Sequence, residues 1–147
     1  MSEQGIIQRI SGVVVDVYFA NSVPEKYTAL KTTINKAGRT ETIVLEVQSH
    51  LGDGVIRAIS MTSTDGLKCG ETVDNTGYPI QTPVGEPVLG RVLNVLGDPI
   101  DDGATFDKKI ERRSIHATPP DITEQNDTIE IFETGIKVID LLCPFVK

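Results

Sequence analysis

The chain has 147 residues, 39% of them hydrophobic and 24% charged, with a net charge of −7 and an isoelectric point near 4.8. That is ordinary globular composition, long enough for one domain or two small ones, and not the profile of a disordered chain. An acidic chain with 5% aromatic residues and no Trp lacks the basic surface that nonspecific nucleic-acid binding needs, and no stretch approaches the roughly 20 apolar residues of a membrane span.

The charge is uneven. Residues 1–80 hold 7 basic and 9 acidic side chains, whereas residues 81–147 hold 7 and 12. Neither part offers a basic patch for anionic lipid. Cys69 and Cys143 have no metal-type spacing, so free thiols in a reducing compartment are expected rather than a disulfide framework. The opening MSEQG begins neither a signal peptide nor an Arg-rich transit peptide. Asn126-Asp127-Thr128 fits a glycosylation sequon, which carries little meaning without a secretory signal.

Taken in order, Val13, Val15, Val17 and Phe19 alternate with Val14, Asp16 and Tyr18, which predicts a strand with one apolar face. Ile6, Ile7 and Ile10 precede it across Gly12, where a bulge or sharp bend is expected. Asn21 to Pro24 reads as a loop. Leu30, Thr32 and Ile34 line a second strand face. Lys36 to Arg39 turns the chain, and Ile43, Leu45 and Val47 form the return strand of a hairpin.

Gly52-Asp53-Gly54 is a further turn. In Val55 to Met61 both faces are fairly apolar, which suits a strand covered on two sides. Asp65-Gly66 and Cys69-Gly70 punctuate the next segment. Glu71 to Thr76 reads as a short strand, and Tyr78 to Pro83 as extended chain, because proline biases its neighbours that way. Short strands with turn signals between them predict a small all-β barrel or sandwich, placed at residues 1–81. Closure would remove exposed strand edges.

Pro83 to Asp102, PVGEPVLGRVLNVLGDPIDD, separates two differently built regions. Pro87 suits a first helical position. Leu89, Val92, Leu93 and Leu96 recur at helical spacing, and Gly97 with Asp98-Pro99 supplies a stop, so a short amphipathic helix is predicted here. Ile110 to Ile115 reads as a short strand. Thr118-Pro119-Pro120-Asp121 interrupts regular structure, and Ile129 to Phe132 is a brief apolar segment. Thr134 is a good helix cap. Val138, Leu141, Leu142 and Phe145 share one face of a helix over Thr134 to Leu142, ended by Pro144. Two short helices and much loop make no core, so residues 82–147 are expected to be the start of an α/β domain whose sheet lies further on. Both apolar helical faces should then lack covering, leaving the chain mobile beyond about residue 82 or prone to associate.

Side chains that could carry chemistry are few. A phosphate-binding loop needs glycines, a Lys and a following Ser/Thr. No GxxxxGK[ST] occurs, and Gly135-Ile136-Lys137 has neither the loop length nor the hydroxyl, so Lys137 is expected to be a solvated helix residue. His50 and His116 lack a nearby Cys or His and read as surface or packed residues. Asp98, Asp101 and Asp102 do not match a calcium-loop spacing, and turn formation explains them better. Lys108, Lys109, Arg112 and Arg113 are interleaved with Glu111, which favours a solvated or salt-bridged face over a phosphate site. No nucleophile constellation appears. No catalytic, cofactor-binding or metal-binding residue is therefore assigned.

Three blocks carry a resemblance that spans essentially the whole chain. PVGEPVLGRVLNVLGDPID resembles the entry into the nucleotide-binding domain of rotary ATPase catalytic subunits. TGIKVIDLLCPFVK resembles the helix preceding their P-loop. GIIQRISGVVVDVYF with VPEKYTAL is similar to the amino-terminal barrel of F-type ATP synthase beta subunits. LEVQSHLGDGVIRAISMTSTDGL is closer to beta than to the related alpha subunit. The resemblance implies a closed six-stranded β-barrel over 1–81, part of a crown, followed over 82–147 by the incomplete start of a RecA-like α/β domain ending before the P-loop. It implies alpha subunits as partners in an alternating ring, and a central stalk for the full-length subunit. Proton-driven ATP synthesis from ADP and phosphate, MgATP/MgADP as cofactors and the nucleotide-site residues would all belong to that longer subunit. The chain itself is expected to serve assembly and to be inactive. The complex would sit peripherally on the cytoplasmic face of a bacterial membrane or its organelle equivalent. The alternative from the residues alone is a free-standing β-barrel binding module. Its oligonucleotide-binding form needs stacking aromatics and a positive groove.

Overall fold

The computed structural model describes residues 3–36, 38–107, 109–119, 121–124 and 130–146, with the backbone alone described at Lys36, Arg39 and Glu124. The expectations that involved Ala37, Lys108, Pro120, Asn126-Asp127-Thr128 and Ile129 lie outside the described residues. Two compact units make up the chain, Met1–Ala117 and Thr118–Lys147.

The first unit is built on a closed antiparallel barrel. Its strands are β1 (Gln4–Ser11), β2 (Val14–Phe19), β3 (Thr28–Lys36), β4 (Arg39–Gly52), β5 (Val55–Ser60) and β6 (Thr72–Pro79). They lie in the order β1-β2-β5-β4-β3-β6, and β6 pairs back onto β1. The period-2 pattern explains the interior. Val15, Val17 and Phe19 from β2, Leu30 and Ile34 from β3, and Ile43, Leu45 and Val47 from β4 all face one core. Ile56 and Ala58 from β5 and Val73 from β6 complete it, with Ile7 from β1. Thr32 is a polar residue on this face, and its hydroxyl donates to the Thr72 carbonyl at 2.8 Å.

Gly5 makes room for the largest core ring. A Cβ there would lie 2.7 Å from both the Phe19 ring and Val17, closer than packed atoms approach. The bend expected near Gly12 is a two-residue turn, because Ser11 pairs Val14 directly. Val13 therefore sits in the turn, 53% exposed, and not on the core face where the alternation placed it. The β1 bulge falls between Ile7 and Arg9 instead. β6 starts at Thr72 and runs on to Pro79, beyond the expected end at Thr76.

After the barrel the chain doubles back over its outside. β7 (Gln81–Pro83) pairs antiparallel with β8 (Arg112–Ser114). The amphipathic helix expected from Pro87 to Leu96 does not form. A single 3₁₀ turn, Glu86–Val88, is all that appears, with Pro87 in its opening positions. Gly90 then adopts a φ of +71°, which breaks a helix and suits only glycine well. Asn94 Oδ1 accepts the amides of Leu96 and Asp98 at 2.9 and 2.8 Å. That local bond competes directly with helical bonding. Residues 92–100 instead form a narrow hairpin held by Ile100 N–H to Val92 O and Asn94 N–H to Asp98 O. The helical spacing of Leu89, Val92, Leu93 and Leu96 was therefore misleading. Leu89 and Val92 are exposed, while Leu96 packs inward on the barrel.

The second unit holds a 3₁₀ turn (Ile122–Glu124), β9 (Ile131–Phe132), α1 (Lys137–Leu142) and β10 (Phe145–Val146), with β9 and β10 paired antiparallel. The helix is shorter than the expected Thr134 to Leu142, and Ile136 stands at its cap. Thr134 bonds forward instead: its hydroxyl donates to Asp140 Oδ1 at 2.6 Å, and the Asp140 carboxylate also accepts the amides of Thr134 and Gly135. These donors hold the Asp140 carboxyl below the ordinary carboxylate range. Pro144 follows the Cys143 cap, where the helix was expected to end.

Candidate functional site

The most elaborated part of the first unit is the seam between the barrel and the strap, residues 81–117. It exists because β3 near its start and β4 at mid-length each carry an apolar residue on the outer face. Ala29 and Val44 point outward from the barrel, yet both are buried, in a second cluster with Ile80 and with Met61 and Leu96 packed against it. An exposed version of this face would leave an apolar patch. The strap covers it. A groove of about 450 Å³ remains along the seam, with Lys31, Thr42 and Tyr78 on the barrel side and Gln81, Asp98 and Arg112 on the strap side.

Glu46 lies at the edge of the same face and is 5% exposed. Its carboxylate accepts from Gln48 Nε2 at 2.6 Å and from His116 Nε2 at 2.9 Å. A carboxylate has no proton to give, so Nε2 of His116 carries it. The His116 ring stacks on Tyr27, with centroids 4.1 Å apart and planes inclined by 22°. The Lys26 ammonium lies 4.6 Å from the Tyr27 centroid, a cation–π distance. Tyr27 holds a φ of +69°, costly for a bulky residue unless its surroundings enforce it. They do: its amide donates to Val47 O at 2.7 Å, and its ring is held by the stack. His50 closes the other end of the same loop through Nε2–H to Pro24 O at 2.7 Å. The two histidines, lone in sequence, thus pin one loop.

Two ion pairs complete the electrostatics. Arg57 of β5 donates to Asp16 of β2 through Nε and Nη2, at 2.8 and 3.1 Å. Hydrogen bonding from Arg57, opposed by burial and aided by the Arg57 and Arg9 charges, lowers the Asp16 carboxyl. In the strap, Arg91 makes a two-pronged pair with Asp101, at 2.7 Å for both bonds, and reaches the Ala104 carbonyl. Asp101 also accepts the amides of Val92 and Gly103. The Arg91 hydrogen bonds, with these amides, push the Asp101 carboxyl far below the ordinary carboxylate range. Its role is to tie a turn.

The remaining residues singled out in the sequence do not converge. Asp98 meets Asn94 rather than Asp101. Arg113 pairs with Glu111 at 3.2 Å on the surface. Lys137 is exposed on α1, and Cys69 and Cys143 are free and exposed. Sequence reasoning missed the Glu46–His116–Tyr27 cluster, whose members lie up to 89 positions apart. The one signal was Glu46 itself, an acid inside the apolar run IVLEV, which must find a partner if it is buried.

Among the described residues no helix is long and apolar enough to cross a membrane. Residues 7–77 match the model of the ATP synthase alpha/beta family, beta-barrel domain. The matched span starts in β1 and ends in β6, so it covers the closed barrel nearly end to end. The closed six-stranded barrel of this chain matches the beta-barrel domain of the ATP synthase alpha/beta family.

Proposed function

We propose that the chain is the amino-terminal part of a beta-type subunit of an F-type ATP synthase. Its task is assembly: the barrel joins the barrels of neighbouring alpha subunits in an alternating ring that sits peripherally at a membrane through the rest of the complex. The family match over the closed barrel carries this proposal. A closed barrel offers no free strand edge, so partners must dock on side chains of its outer face and rim. The blocks LEVQSHLGDGVIRAISMTSTDGL and GIKVIDLLCP support beta over alpha.

ATP synthesis is proposed only for the longer subunit, where MgADP and phosphate would bind and the central stalk would turn. Nothing in 1–147 supplies the glycine loop, Lys and hydroxyl that hold nucleotide phosphates. The test is to mix the purified chain with an F-type alpha subunit and to follow complex formation by native mass spectrometry. A defined alpha–chain complex supports the proposal, and its absence with a folded barrel overturns the assembly role. Calorimetric titration with MgADP should give no saturable heat. Tight, salt-sensitive binding of a single-stranded oligonucleotide would instead favour a free-standing binding module.

A further inference from the structure

We propose that His116, Glu46 and Tyr27 form a latch, separable from the barrel fold, that fixes how the strap leaves the barrel. The inference does not depend on the family assignment. Three observations carry it.

First, the bond is lopsided in burial. The Glu46 side chain is 7% exposed, while His116 is 36% exposed. If His116 leaves, the carboxylate keeps only Gln48 as a described partner. A nearly buried carboxylate so stripped must draw in water or a proton, which opposes opening. Donation needs a proton on Nε2, and both the neutral Nε2–H tautomer and the imidazolium have one.

Second, the latch lies outside the barrel core. None of the three residues belongs to the interior cluster. Beside His116 the strap is tied by the Ile115 amide to Ile80 O, and Ser114 caps locally onto the His116 amide and carbonyl. This end of β8 is otherwise held by the pairing of Ser114 with Gln81 of β7, and its Arg112 and Arg113 are exposed.

Third, the receiving surface carries strain. Tyr27 sits at positive φ, with its ring available to only one stacking partner among the described aromatic pairs. Strain held by surrounding contacts marks a two-state element better than a passive loop. His116 meets Glu46 from β4, Tyr27 from the loop before β3 and Ser114 from β8, while Gln48 bonds Glu46 and Lys26 lies over the Tyr27 ring.

The experiment is amide hydrogen exchange on the full chain, comparing wild type with His116→Ala, Glu46→Gln and the double variant. Opening the latch should speed exchange at Ile115 and Val84 by tenfold or more, and leave Val17 and Leu45 within twofold. In Glu46→Gln a single carbonyl oxygen cannot stand at both positions that accept from Gln48 and His116, so the His116 Nε2–H should exchange faster than in wild type in nitrogen-edited NMR. The double variant should add no more than twofold to either single one, because both break the same bond. Unchanged exchange at Ile115 in His116→Ala overturns the proposal. So does a loss of protection spread equally through the barrel, which would make the cluster part of the fold and not a latch. If His116→Ala fails to fold, the same two readouts on Glu46→Gln decide the matter.

Discussion

Gly5 shows how much one atom decides in a small barrel. Adding a methyl there puts it 2.7 Å from the Phe19 ring and Val17, so Gly5→Ala should cost about 1–3 kcal/mol by overpacking, read from urea unfolding. Leu45 is fully buried at the centre of the same core, and Leu45→Ala should cost about 2–5 kcal/mol. At the acid end, Asp16 and Asp101 both have lowered carboxyl pKa values. A lowered folded-state pKa means that the unfolded chain binds the proton first. The stability each pair contributes is then present above the ordinary carboxylate value, near 3.8, and lost as pH falls through the depressed one. Carbon-detected NMR should therefore show both carboxyls still ionised at pH 4, with Arg57→Gln returning Asp16 toward its ordinary range.

Elements in this chain owe their form to local competition as much as to apolar spacing. The stretch from Pro87 to Leu96 has a helical pattern, but Gly90 and the Asn94 side chain take its backbone elsewhere. Propensity and capping chemistry outrank periodicity when the run is this short. The Arg91–Asp101 pair then clamps the hairpin that replaces the helix. Asp101→Asn should leave the barrel intact and raise amide exchange at Val92 and Gly103, whose hydrogen bonds it accepts. Equal protection in the variant would show that the loop is held by its backbone alone. In the second unit, Asp140→Asn should similarly loosen the Thr134–Gly135 entry to the short helix.

For the whole molecule, the closed barrel and its seam account for the packed interior, and all core residues of the main cluster lie between Ile7 and Val73. The second unit has no buried residue in its helix, and Leu141 and Leu142 are 83% and 76% exposed. A chain ending at Ala117 should thus keep the barrel's thermal midpoint within about 3 °C, which for a domain this small bounds the loss to under about 1 kcal/mol. The full chain should self-associate as concentration rises, because it presents exposed apolar side chains. Leu141→Lys with Leu142→Lys should reduce that association in sedimentation velocity, and no change would locate the sticky surface elsewhere.

The sequence alone determined the strands of the first unit and most of their buried faces; its pattern left barrel or sandwich open, and only the family resemblance implied closure. Alternation of apolar residues has only one consequence for a strand, since a slip of one position turns the whole face outward. The inward positions of Val15, Leu30 and Leu45 came from it, whereas in β5 both faces read as apolar and the structure put Ile56 inward. Its three motif blocks also pointed to the family whose barrel model residues 7–77 match. Only the tertiary structure decided the seam. Glu46, His116 and Tyr27 are brought together by strand order and by the strap's return path. Neither period nor spacing encodes contacts between residues 70 or more positions apart. The outward burial of Ala29 and Val44 was equally unreadable, because a residue on the far face of a strand is covered or bare according to what another segment does.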